Sequence, residues 1–194
     1  VATREQYIPG PASGAQIDKQ GERWTLILTR DLRHAPENVW EALTDPSQLA
    51  QWAPFDVDRN LSTTGPAKLF LASAPSPQTF HSTVKRAERP RLLEYTWGDA
   101  DVRWELEPLP TGTRLKLWHN IDRRFIAWGA AGWHICFDVL DHLLAGHPLG
   151  RIVGADALQF EWQRLNQEYA AQFGIETPAF PGARAQQSSD ARQS

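Results

Sequence analysis

The sequence predicts an α+β fold, a curved antiparallel sheet wrapped around a long C-terminal helix, and three observations carry that prediction. The run from Ala127 to Gly146, AWGAAGWHICFDVLDHLLAG, is mostly apolar and has a helical period. Between Ala67 and His119 the period changes to two, in five short segments divided by turn-forming residues. Beyond the long helix, Leu158, Trp162, Leu165, Tyr169 and Phe173 recur at helical spacing, so a further helix can cover whatever the sheet leaves open.

The long helix, expected over about residues 124–145, has one broad apolar face. Ile126, Gly129, Ala130, Cys136, Phe137, Leu140 and Leu144 fall within about 60° of Trp133 at 3.6 residues per turn. Ile135, Val139 and Leu143 make a second stripe, which leaves His134, Asp138, Asp141 and His142 as a polar arc expected to be solvated. Gly146 followed by His147 and Pro148 stops the helix.

The rest follows in chain order. Residues 1–21 carry three glycines, two prolines and few large apolar side chains, and are expected to form a flexible arm, on which Tyr7, Ile8 and Pro9 could still dock. A single domain is expected over residues 22–174 and a disordered polar tail over 175–194. Trp24 to Asp31 reads as a first strand. Pro36 opens a short helix with Glu37 at its positive end, and Asp45 with Pro46 caps a second one reaching Trp52.

Ala67–Ala72, Thr79–Arg86, Arg91–Trp97, Val102–Glu107 and Thr113–His119 are the five strands of an antiparallel meander. Alternation turns Leu93, Tyr95 and Trp97, then Val102, Trp104 and Leu106, then Leu115, Leu117 and His119 toward the helix. Glu94, Arg103, Glu105, Arg114 and Lys116 then face outward. Asp156 is expected to cap the last helix, over about residues 156–173 and ended by Gly174. Its apolar stripe could serve a homodimer as well as the chain's own core.

Composition narrows the function classes. A net charge of −3 with both signs interspersed lacks the basic stripe of a nucleic-acid surface. No segment reads as a membrane span or a signal peptide, so a cytoplasmic protein is expected. The one cysteine, Cys136, allows no disulfide within the chain and reads as a small core residue. No phosphate-cradling glycine loop, nucleophile elbow or zinc motif is present, so no cofactor and no metal are expected. His134, Asp138 and His142 share one side of the helix, but the outer two are ~12 Å apart along the axis, too far to hold one ion.

Four stretches resemble one family in the same order: HAPENVWEALTDPSQLAQWAP at 34–54, RPRLLEYTWG at 89–98, WELEPLPTGTRLKLWHN at 104–120 and GWHICFDVLDHLLAG at 132–146. They are similar to the Hsp90 ATPase activator homologue family of the Bet v 1/START-like superfamily, across roughly residues 24–173. The resemblance implies the helix-grip fold and a cavity between sheet and long helix, which in relatives holds lipids, aromatics or polyketides. The family name also implies an Hsp90 partner.

Three readings of function follow. The first is binding or carriage of a small, mostly apolar molecule, with Tyr95, Trp97, Trp104, Leu106, Leu115, Leu117, His119, Trp133, Phe137 and Leu140 as the ligand-contacting set. The second is an enzyme of the cyclase, hydratase or hydrolase type acting on a hydrophobic or aromatic molecule, with His119 and Tyr95 as acid and base. The third is a protein-interaction module related to Hsp90 activators. An enzyme needs at least two polar groups converging on one reacting position, whereas a carrier needs only an apolar lining.

Overall fold

Period-two alternation becomes one eight-stranded sheet in a computed structural model that describes residues 3–180 apart from 74, 75 and 77. Its strands are β1 (Ala15–Gln20), β2 (Arg23–Leu32), β3 (Phe55–Val57), β4 (Gly65–Leu71), β5 (Thr79–Glu88), β6 (Leu92–Trp97), β7 (Ala100–Leu109) and β8 (Gly112–Asn120). The spatial order is β1-β2-β8-β7-β6-β5-β4-β3, with every neighbouring pair antiparallel. Leu93, Tyr95, Val102, Trp104, Leu106, Leu115 and Leu117 are all buried on the inner face, as alternation requires. On the outer face Arg114 pairs with Asp31 at 2.8 Å, and Lys116 and Arg103 lie over the Trp118 ring.

The turn between β7 and β8 depends on Gly112. A Cβ there would stand 2.0 Å from the Leu32 carbonyl oxygen and 2.9 Å from Arg33 Cα, so no larger residue fits against the end of β2.

The helices are α1 (Pro36–Thr44), α2 (Pro46–Trp52), α3 (Ile126–Leu144) and α4 (Trp162–Phe173). Asp45 caps α2 through the Ser47 and Gln48 amides, and Trp52 Nε1 donates to the Ala42 carbonyl at 2.9 Å, which binds α2 to α1. The sheet wraps α3 in the helix-grip arrangement. Among the described residues no helix is long and apolar enough to cross a membrane.

Four expectations need correction. The arm is not loose between Arg4 and Gln20: residues 4–6 form a 3-10 turn, Tyr7 is buried and β1 pairs with β2 across a Gly21–Glu22 turn, although Ile8 stays exposed. The last helix is not continuous from residue 156. Gly154–Phe160 is a 3-10 segment, Glu161 adopts a left-handed φ of 56°, and only then does α4 begin. Leu158 consequently leaves the apolar stripe and is exposed, and Asp156 pairs with Arg4 at 3.5 Å instead of capping. Leu165 and Tyr169 are fully buried against the chain's own core.

The third correction concerns the polar arc of α3. His134 is buried, and Asp138 accepts a hydrogen bond from the Tyr7 hydroxyl at 2.6 Å while pairing with Arg30 of β2. His134 Nδ1 meets the Tyr169 hydroxyl at 2.8 Å, and that hydroxyl donates to the Ser13 carbonyl at 3.1 Å. The arm and α4 cover His134 and Asp138, which composition alone assigns to solvent, whereas Asp141 of the same arc is exposed as expected. Beyond Phe173, the chain continues to pack as far as Phe180, so residues 175–180 do not share the disorder expected of the tail. Residues 181–194 of that expectation lie outside the described residues.

Candidate functional site

Inside the grip, the inner face divides into a solid half and a hollow half. In the solid half, Trp104 of β7 lies edge-on to Trp52 at 6.0 Å and to Trp133 at 5.4 Å, and tilts over Phe137 at 5.9 Å. Its Nε1 donates to the Tyr95 hydroxyl at 3.0 Å, which satisfies both buried polar tips. Tyr95 is sealed there, and its burial raises the phenol far above the ordinary range.

The hollow half begins on the far side of Trp133. A cavity of about 560 Å³ opens between the first two turns of α3, the ends of β6 and β8, and the segments at 121–125 and 152–157. Gly129 and Gly132 turn their backbone toward it. A Cβ at Gly129 would sit 2.4 Å from Ile121 Cδ1, and one at Gly132 would point to Trp162 Nε1 4.0 Å away, so each glycine leaves room on the helix side. Arg151 fixes the 149–153 wall by donating to the Leu49 and Phe55 carbonyls, both at 3.2 Å, and to Asp56 at 2.6 Å. Arg4 reaches the same wall from the arm, donating to the carbonyls of Leu149, Gly150 and Arg151 at 3.0–3.1 Å. At the mouth, Phe180 stacks on Trp128, whose Nε1 donates to the Pro178 carbonyl at 2.7 Å.

Trp97, His119 and Trp133 of the expected ligand set line this cavity. Tyr95, Trp104, Leu106, Leu115, Leu117, Phe137 and Leu140 do not; they fill the solid half as buried core. The lining that sequence reasoning did not reach comes from Phe125, Trp128, Gly129, Gly132, Trp162 and Phe180 among others. The glycine pair at i, i+3 in an otherwise apolar helix was a legible signal, because glycine in a helix interior costs ~1 kcal/mol and calls for a compensating reason. Cys136, expected in the core, is on the cavity wall as well, and burial pushes its thiol up to about 12, so it stays protonated and unreactive.

His119 is the polar centre of the lining. Trp133 Nε1 donates to its Nδ1 at 3.1 Å, and Trp97 stacks on its ring at 5.4 Å with 10° between planes. No lining residue among those described carries a formal charge, and burial holds the imidazole down at about 4 instead of 6.5, so it is neutral near pH 7. The unfolded chain therefore takes up this proton first as pH falls. The stability held by a neutral His119 is complete above pH 6.5 and drains away as pH drops through about 4. Urea unfolding is expected to show the native chain losing about 3 kcal/mol more than His119→Gln between pH 7 and 4. Parallel profiles for the two chains would contradict it.

Among the described residues no group of three or more His, Cys, Asp or Glu side chains is placed to hold a metal ion. Asp122 and Arg124 pair with each other at 3.1 Å on the surface.

Comparison with known proteins gives a family and a fold. Residues 33–145 match the family described as activator of Hsp90 ATPase homolog 1-like protein. No curated protein matches the sequence. A conserved protein of unknown function from Enterococcus faecalis is similar in structure, with a TM-score of 0.61 at 17% identity over 82% of this chain and 90% of that one. A protein from Mesorhizobium loti gives 0.55 at 26% identity, covering 63% and 97%. An AHSA1-like protein from Aeromonas hydrophila gives 0.53 at 20% identity, covering 63% and 92%.

Proposed function

We propose, from the premise that this chain belongs to the activator of Hsp90 ATPase homolog 1-like family, that it binds a small, mostly apolar molecule in the cavity beside α3. One observation carries the reading: a space of about 560 Å³ walled by aromatic rings and backbone glycines, with no charged side chain among its described lining. That volume falls within the usual range for small-molecule sites. Arg4 and Arg151 hold the 149–153 wall in place, which supports a space that stands without a ligand on that side. Acid–base chemistry by His119 and Tyr95 is less well supported, because the Tyr95 hydroxyl is sealed in the solid half and does not line the cavity with His119.

Native mass spectrometry of freshly purified chain is expected to show a co-purifying neutral molecule. A panel of apolar aromatic and acyl probes should contain binders of micromolar affinity. At a hundredfold excess over the dissociation constant, such a probe should stabilise the fold by ~2.7 kcal/mol in a melt. A varied panel in which nothing shifts the melt would overturn the binding reading.

A further inference from the structure

Resting on that reading, we infer that the ligand is a neutral aromatic carbonyl compound, whose oxygen accepts a hydrogen bond from His119 Nε2 while its rings lie among Trp97, Trp133 and Trp128.

The argument starts from the one bond His119 makes. Indole nitrogen is a donor only, so the Trp133 Nε1 contact at 3.1 Å forces Nδ1 of His119 to be the acceptor. A neutral imidazole that accepts at Nδ1 carries its proton at Nε2. Among the described residues Nε2 has no hydrogen-bond partner, yet it is absent from the polar atoms sealed without partners, which include Trp40 Nε1, Ser82 Oγ and Trp118 Nε1. His119 lines the cavity, so Nε2 is its polar atom available to an occupant there, although the residue as a whole is only 9% exposed. A nine-tenths-buried group thus presents one unpaired N–H to an apolar chamber.

This fixes the polarity of the partner. The ligand must offer an acceptor at that point, and a hydroxyl seeking a base there would find a donor. For His119 to serve as a base, its proton would have to move to Nδ1, where it would face the Trp133 N–H and leave that buried indole unpaired. A carboxylate or phosphate would satisfy the N–H, but no cationic side chain among the described lining offsets the cost of burying its charge. Burial also disfavours charging the imidazole to meet it. A carbonyl on a flat ring system meets both requirements, since aromatic faces surround the donor and offset stacking or edge contacts suit them.

The test uses 9-fluorenone, fluorene and fluorene-9-carboxylate, which share a tricyclic frame and differ at one position. On the native chain fluorenone is expected to bind ~3–10-fold tighter than fluorene, against their order of hydrophobicity, with the carboxylate weakest. In His119→Phe that preference should disappear while fluorene still binds. Long-range ¹H–¹⁵N spectra of the native chain, which need no variant, should show the Nε2–H tautomer and a shift of that proton when fluorenone is added. Equal affinities for fluorene and fluorenone, a preference for the carboxylate, or an Nδ1–H tautomer would each overturn the inference and leave the cavity reading in place. Failure of all three compounds, together with an unresponsive wider panel, would remove the cavity reading itself.

Discussion

Trp104→Ala is expected to cost 3–5 kcal/mol of unfolding free energy, the range for emptying a large aromatic from a closed core. Trp104 is fully buried and touches Trp52, Trp133 and Phe137, so its removal leaves a hole that three rigid rings cannot close. The loss has a polar part too. The Tyr95 hydroxyl is without its Trp104 donor in a place water does not reach, and an unsatisfied buried group costs ~1–3 kcal/mol. Trp104→Phe keeps most of the volume and should lose markedly less. Chemical denaturation followed by far-UV dichroism measures both. A Trp104→Ala loss below 1 kcal/mol would mean that this half of the grip is not solid. Because Trp133 leans on Trp104 and also walls the cavity, the same variant should weaken probe binding even though Trp104 does not touch the probe.

Asp138→Ala should show the second large effect, about 2–4 kcal/mol, through a charge left alone. The Arg30 side chain is 24% exposed and that of Asp138 15%, so the surviving guanidinium stays largely buried without its carboxylate. The Tyr7 hydroxyl loses its acceptor at the same time, which should free the arm and speed proteolysis near residues 7–12. Pairing Asp138→Leu with Arg30→Met should recover much of the loss, since two apolar side chains replace an ion pair far more cheaply than half of one does. If Asp138→Ala unfolds at the native urea midpoint, the Arg30 pair contributes only as a surface contact would.

This second variant also marks where the sequence stops being readable. Alternation depends only on neighbouring residues along one strand, and so it placed Trp104, Leu117 and His119 inward without knowledge of their partners. The cap at Asp45 and the stop at Gly146 are equally local. The fate of Asp138 is not local. Whether a carboxylate on α3 meets water or a partner depends on β2 bringing Arg30 to it and on an arm 131 residues earlier folding back over it, a docking left open at Tyr7 with no partner named. The left-handed turn at Glu161 is similar, because the run around it reads as an uninterrupted helix. The cavity was half legible for the same reason. Trp97, His119 and Trp133 sit on periodic elements, whereas Phe125 and Phe180 reach the cavity from irregular segments that no period describes.

The tryptophans that divide solid core from cavity also form an optical chain. Trp52, Trp104, Trp133 and Trp97 follow one another at ring separations of 6.0, 5.4 and 6.3 Å, and the last of them is stacked on His119. Indoles this close exchange excitation faster than they emit, so a photon absorbed at Trp52, behind the sealed core, can be emitted or quenched at Trp97 on the cavity wall. The protein thereby reports the state of its chamber without a label. An occupant that quenches one ring should then dim the light gathered by four.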